Sequence, residues 1–368
     1  MFGKEQIYAN IFSMDAGGLI LPNSAFVPFP VVLIRLVAYI YPMKHISVLI
    51  PAGDISLSNV EGMHHIFLEV NQVYVRAGKQ PPFYFQLVGK QKSNFMKEDF
   101  FSIHPKFLIE QDFKTDLLII PALHGNVLQS MQNNEDFVPW IQEQYAKGAE
   151  VMSLCTGAFL LGATGLLSGK SCATHWAHIN DFRETFPDVQ VLDEKIMTDE
   201  AGIYTSGAAY SYLNLILYYI EKYTNHDIAV HIAKLFALDI GRSSQSQFMI
   251  FEGYKRHNDE NVLKAQEFIE QNYQEKISID QIASHVALGR RNFERRFKSA
   301  TSNSVFEYMQ RVKVEVAKKE LERGHKNVNE AMYDAGYTDS KAFRDVFKKI
   351  VGMSPVEYRN KYTRQVSA

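Results

Sequence analysis

A piece of the C-terminal third of the chain occurs twice. Phe293, Phe297 and Lys298 return as Phe343, Phe347 and Lys348, and Ser304, Glu307 and Tyr308 return as Ser354, Glu357 and Tyr358, each at an offset of 50 residues. A repeat of this size is a supersecondary unit that packs against its twin, so this part of the chain must fold as two copies of one small motif. The phenylalanines lie four apart, which puts each pair on one helix face. Ser304 with Glu307, and Ser354 with Glu357, spell capping boxes, and Pro355 suits a first helical position, where its missing N–H costs nothing. Ser278 with Gln281, and Asn327 with Glu330, can cap an earlier helix in each copy. Tight turns between paired helices are expected at 287–289 and 336–339.

Between the copies Val305, Met309, Val312, Val316 and Leu321 keep a helical stripe that Gly324 can end. A helix of about 20 residues is roughly 30 Å long, and a turn of B-DNA is roughly 34 Å. Such a linker can hold two recognition helices in successive major grooves. The charge agrees: residues 255–368 hold 22 Lys and Arg against 16 Asp and Glu, whereas the first 254 hold 17 against 25. A basic module on an acidic body suits phosphate neutralisation, although a solvated helical surface would also account for the charge alone.

Residues 262–362 resemble the AraC-type DNA-binding domain. The second copy carries the resemblance through Gly336, Tyr337, Asp339, Phe343, Phe347, Lys348, Lys349, Gly352, Ser354, Pro355, Tyr358 and Arg359. The first copy carries it through Ile282, Ala283, Leu288, Arg291, Phe293, Arg296, Phe297 and Lys298. The first departs from the family with Ser302 to Val305 where Gly-x-Ser-Pro is usual, and with Gly289 where a serine cap is usual. The resemblance implies double-stranded DNA as partner, and RNA polymerase too if the protein is an activator. The expected base readers are Arg290, Arg291, Asn292 and Arg295 in the first copy and Ser340, Lys341 and Arg344 in the second, because arginine pairs with guanine and asparagine with adenine. Lys298, Lys348 and Lys349 are expected on phosphates. For any one of these the plainer reading is a solvated surface charge. The first copy, with the denser arginine face, is expected to read more bases, and the second to anchor.

The preceding two thirds has another rhythm. Apolar runs at 46–51, 83–89, 115–121, 150–154 and 203–206 read as strands. Helical patterns at about 52–76, 137–147, 158–167 and 209–223 alternate with them. That alternation predicts a parallel sheet covered on both faces. The 209–223 helix reads as core, or else as a dimer surface of a possible homodimer. Cys155, Thr156 and Gly157 fall between strand and helix, the setting of a nucleophile elbow, where a thiol is expected to be exposed and its pKa lowered by the helix N-terminus. His175 could activate that thiol, and Gly125 could offer a backbone N–H to an oxyanion. The plainer readings are a small residue packed at a turn and a satisfied histidine at a pocket rim.

Residues 45–224 resemble the PfpI-like branch of the class I glutamine amidotransferase-like superfamily, and most specifically the sensor domain of GlxA-type AraC regulators. Ser153 to Leu161, Gly165 to Lys170, Ala173 to Trp176 and Tyr204 to Gly207 carry this resemblance. It implies a flavodoxin-like α/β domain that senses a small molecule rather than turns one over. The hydrolytic members usually follow the cysteine with histidine, where Thr156 stands here. They also place an acid after the first strand, for which Asp54 and Glu61 are candidates. A pocket is expected from Cys155, Thr156, His175, the Gly125 loop and the loop near Asp54, since ligands bind outside the carboxyl ends of parallel strands. The expected effector is a small nitrogen-containing metabolite.

The resulting plan is an α/β class chain: residues 1–43 a poorly ordered extension, 44–240 the sensor domain, 241–260 a polar linker, 261–362 an all-α domain with two helix-turn-helix units, and 363–368 a tail. Met43, just before the regular pattern, is a candidate alternative start. The run 25–42 contains Arg35 and three prolines, which does not suit a membrane span. Two cysteines, Cys155 and Cys172, point away from a disulfide framework and toward the cytoplasm. His64 and His65 are adjacent and so do not share a helix face, so neither metal nor cofactor is expected. Three functional classes remain: a ligand-responsive regulator, a cysteine-dependent hydrolase or amidotransferase, and a DNA-binding protein whose N-terminal domain only dimerises.

Overall fold

The computed structural model describes residues 43–96 and 100–363, together with the backbone of three short antiparallel strands, Met14–Asp15, Gly18–Ile20 and Phe26–Pro28. The expectation for residues 1–43 otherwise lies outside the described residues, as does most of the tail.

A seven-stranded sheet organises the first part of the chain. Its order from one edge is Met197–Glu200, Ile203–Ser206, Glu150–Leu154, Leu117–Ile120, Lys44–Ile50, Phe83–Gly89 and Phe107–Leu108. All neighbours run parallel except Met197–Glu200, which pairs antiparallel with Ile203–Ser206. Leu117, Leu118, Ile119 and Ile120 have no exposed surface, as a strand covered on both faces requires. Helices Leu57–Arg76, Tyr212–Tyr223 and His226–Leu235 pack on one another, and Phe137–Ala146 packs with Ala158–Ala163. Counting the five principal parallel strands in chain order gives 2-1-3-4-5, the flavodoxin-like order. Its switch point lies between Lys44–Ile50 and Leu117–Ile120, so the loops after those strands meet above the sheet.

The helices of this domain differ from the sequence reading in extent and in number. The helix after Cys155 ends at Ala163, because Gly165 takes a left-handed φ of +72° and residues 164–169 turn. Helices Val127–Gln132 and Ile179–Thr185 are additional, and so is His226–Leu235. Its cap was visible, since the Asn225 side chain accepts from the Ile228 N–H and Ala229, Ile232 and Ala233 form the buried face.

After residue 259 the chain is all helix. Glu260–Gln271 precedes the first pair, Ile279–His285 and Arg290–Thr301, and Val305–Arg323 joins it to the second pair, Val328–Asp334 and Ser340–Val351, which Pro355–Tyr362 closes. All four expected capping boxes form. Each pair has its own core. The joining helix gives Val305, Tyr308 and Val312 to the first, then Val314, Ala317 and Leu321 to the second. Phe293, Phe297, Phe343 and Phe347 are completely buried, so truncating any one to alanine should cost about 3–5 kcal/mol.

The polar run 242–257 forms a 3-10 turn, Ser246–Phe248, and an isolated antiparallel bridge from Ser244 to Lys195. It is nevertheless bound to both parts of the molecule. The Gln245 side chain is fully buried, because its amide groups find backbone partners in the first domain.

Candidate functional site

The elbow forms at the switch point. Cys155 follows strand Glu150–Leu154 with a φ of +56°, a left-handed conformation that is strained for a residue with a Cβ. Tertiary bonds hold it there. Its N–H donates to Ser206 Oγ (3.3 Å), and its carbonyl accepts from Thr174 Oγ1 (3.1 Å). Thr156 Oγ1 donates to the Leu123 carbonyl (2.7 Å), tying the elbow to the neighbouring loop. Gly157 has to be glycine, because a Cβ there would meet the Pro121 carbonyl oxygen at 2.6 Å.

Cys155, Thr156, His175 and Gly125 line one cavity of about 240 Å³, with His124, His178 and Ser56 beside them. Four of the five expected residues therefore meet. Asp54 does not line the cavity. Its carbonyl instead accepts from the His124 N–H (2.9 Å), and the first loop presents Ser56 to the cavity. Glu61 lies on the Leu57–Arg76 helix, largely exposed and paired with His65. No carboxylate lines this cavity. His178 was not singled out from sequence. Its signal was its three-residue spacing from His175, which a single 3-10 turn, Trp176–His178, brings round to the same cavity.

The thiol corrects the sequence expectation. Cys155 is buried, not exposed, and burial pushes its pKa up to about 11, against the smaller opposing effect of hydrogen bonds from Thr156. Burial, with the charge of His178 second, pushes His175 down to about 4. His175 Nδ1 accepts from the Ala177 N–H (3.1 Å), so in the neutral ring the proton sits on Nε2. Neither nitrogen then offers a lone pair to the thiol, and no hydrogen bond joins the two groups among the described residues.

The second candidate surface lies on the recognition helices. On Arg290–Thr301 the residues Arg290, Arg291, Asn292, Arg295 and Lys298 are exposed. Arg290 is engaged by Asp280 (3.0 Å) and Glu294 (3.6 Å), and Arg295 donates to Asn292 Oδ1 (2.9 Å). Such exposed pairs are worth little and yield readily to a stronger partner. Arg296 is different: it holds Asp259 through two bonds of 2.7 and 2.6 Å, which fixes the recognition helix to the cap of Glu260–Gln271. On Ser340–Val351 the residues Lys341, Arg344, Lys348 and Lys349 are exposed and Ser340 is half-buried.

Comparison with known proteins matches both halves. The DJ-1/PfpI family model matches residues 81–222, and a helix-turn-helix domain model matches residues 282–361. The HTH-type transcriptional regulator GbdR of Pseudomonas aeruginosa is 24% identical over 227 residues, 61% of this chain and 61% of its own. The HTH-type transcriptional regulator GlxA of Rhizobium meliloti is 21% identical over 216 residues, 58% of this chain and 66% of its own. Isonitrile hydratase of Pseudomonas putida is 29% identical over 114 residues, 31% of this chain and 48% of its own. The chain thus matches about 61% of the length of a regulator such as GbdR. It joins a DJ-1/PfpI domain to an AraC-type helix-turn-helix domain.

Proposed function

We propose that the chain is a sequence-specific DNA-binding transcription regulator of the cytoplasm whose N-terminal domain, residues 44–240, senses a small metabolite in the cavity at Cys155. The observation that carries this reading is the pair of exposed basic recognition helices on a single joining helix of 19 residues. That helix is about 28 Å long, close to the roughly 34 Å between successive major grooves. Arg290, Arg291, Asn292, Arg295, Ser340, Lys341 and Arg344 then face bases, and Lys298, Lys348 and Lys349 face phosphates. The matched helix-turn-helix model and the regulators named above support the same reading. Among the described residues no helix is long and apolar enough to cross a membrane. A homodimer, and contact with RNA polymerase in the case of an activator, belong to this proposal; sedimentation tests the first.

The test is selection of bound duplexes from a random pool by the full chain, followed by affinity measurement on the selected site. Specific binding is expected, and failure to enrich any duplex sinks the reading. For the cavity, calorimetry against nitrogen-containing metabolites is expected to find a ligand whose binding is lost in a Cys155→Ala, His175→Ala double variant.

A cysteine-dependent hydrolase is the second reading, favoured by the strained elbow and by the likeness to isonitrile hydratase. A thiol held near pKa 11, a histidine with no lone pair toward it and a cavity without a carboxylate weigh against that chemistry. Turnover that disappears in Cys155→Ser would restore it.

A further inference from the structure

The segment between the two domains is gripped at both ends and in the middle. At its start Gln245 Nε2 donates to the carbonyls of Thr174 (3.2 Å) and Asp193 (2.8 Å), and its Oε1 accepts from the Ala208 N–H (2.9 Å). Gly207 leaves room for this, since a Cβ there would meet that Oε1 at 2.5 Å. Two of these partners, Thr174 and Ala208, are chain neighbours of residues that line the cavity. Thr174 precedes His175 and bonds the Cys155 carbonyl, and Ala208 precedes Ala209, which lines the cavity.

At the far end Arg256 donates to Asp181 (3.0 Å), whose carboxylate also meets His178 Nδ1 (3.4 Å). Asp181 and Arg256 close a second chamber of about 360 Å³. It adjoins the Cys155 cavity across Gly125, Val127 and His178, which line both.

Between these ends the segment crosses the joining helix. The Met249 carbonyl accepts from Lys318 Nζ (2.6 Å), and the Phe251 N–H donates to Glu315 Oε2 (3.2 Å). Lys318 and Glu315 are both buried and pair at 2.8 Å. A buried ion pair is a poor source of stability but a good device for fixing one arrangement. Here it fixes the main chain of the segment to the middle of the helix that spaces the two recognition helices. Beside the segment the domains leave a cleft of about 480 Å³, lined by Trp176 and Arg183 on one side and Asn303 and Arg311 on the other. The segment itself therefore links residues beside the cavity to the joining helix.

We propose that residues 245–256 act as a strap that reports the state of the Cys155 cavity to the joining helix, with Gln245 and Arg256 as its two grips and the Lys318–Glu315 pair as the point of delivery. This rests on the DNA-binding reading above. A ligand that displaces His178 or Ala209 pulls on one grip, and the strap shifts the joining helix, and the recognition helices with it, relative to the first domain. Coupling of this kind is reciprocal, so DNA binding must in turn change the cavity.

That reciprocity gives a test without the effector. The full chain is labelled with iodoacetamide with and without saturating selected duplex. Modification at Cys155 is followed by peptide mass spectrometry, with buried Cys172 as internal reference. Duplex is expected to change the Cys155 rate by about fivefold or more. Gln245→Ala and Arg256→Gln are each expected to abolish most of that change while the duplex still binds. Arg256 is largely exposed, so its variant keeps the test decisive even if Gln245→Ala does not fold. Duplex that binds without altering Cys155, or that alters it equally in parent and variants, overturns the strap. A chain that binds no duplex removes the DNA-binding reading, and the strap with it.

Discussion

The two helix-turn-helix units share an aromatic core and differ where their backbones turn. Between the paired helices the second unit places Gly336 at a φ of +73°, and the first places Ala287 at +54°. After the recognition helix the second has Gly352 at +81° and the first has Ser302 at +58°. At the start of that helix Asp339 accepts from the N–H groups of Lys341 and Ala342, whereas Gly289 offers no side-chain cap. The first unit therefore adopts the same path at three less favourable positions. Left-handed backbone costs a non-glycine residue roughly 1–2 kcal/mol. The comparison teaches that the phenylalanine core dictates the path, and that turn residues only set how cheaply it is followed. The first unit offsets part of its deficit through Arg296 on Asp259, an ion pair for which the second unit has Val346 at the matching position.

The sharpest way to break this comparison is Gly336→Ala. A Cβ there would meet the Gln274 backbone at 2.9 Å in addition to the left-handed strain. It should cost about 2–3 kcal/mol, read as faster amide exchange in Val328–Asp334 and Ser340–Val351 of the full chain. Unchanged exchange would show that the second unit tolerates what the first does. Next come the DNA contacts. Arg295→Ala should weaken binding to the selected duplex by about 1–3 kcal/mol, and more than Arg344→Ala does. The reverse order would make the second unit the principal reader, and no loss in either would remove both assignments. Asp339→Ala should cost the second unit about 1 kcal/mol through its lost cap, again read by exchange. Smallest, Ser302→Gly should steady the first unit by about 0.5 kcal/mol, while Gly352→Ala costs about 1 kcal/mol. Ordinary van der Waals contact around Gly352 leaves only the conformational strain to act there.

The cavity supplies a pH prediction on the other domain. His175 is held down to about 4, so between that value and its ordinary 6.5 the unfolded chain binds a proton that the folded chain does not. Stability of the first domain should therefore fall as pH drops from about 6.5 toward 4 and level off below. A His175→Gln variant should flatten that part of the profile, measured by thermal unfolding at a series of pH values.

Much of the fold was legible in the sequence for local reasons. The parallel sheet follows from strand and helix periodicity, the helix starts from Ser278, Ser304, Asn327 and Ser354, and the two-fold repeat from its phenylalanines. Each depends on residues within a few positions of one another, and short-range physics fixes them. The elbow at Cys155 was legible in the same way, whereas the gathering of His175 and Gly125 beside it was expected from the carboxyl ends of a parallel sheet.

What escaped depends on contacts far apart in the chain. The Cys155 environment is one case: an elbow announces a thiol, but its burial arises only once Ser206, Thr174 and Leu123, distant in the chain, bond the elbow into the folded domain. The connecting segment is the other. Its polar composition reads as a loose linker, and composition cannot reveal that Gln245 will find backbone partners at Thr174, Asp193 and Ala208, or that Lys318 and Glu315 will take up the main chain at 249 and 251. The sequence by itself determined that two recognition helices share one joining helix. Only the tertiary structure decided that this helix is tied through the connecting segment to residues beside the cavity, because a buried polar group is stable only beside its partners, and those partners meet only in the folded chain.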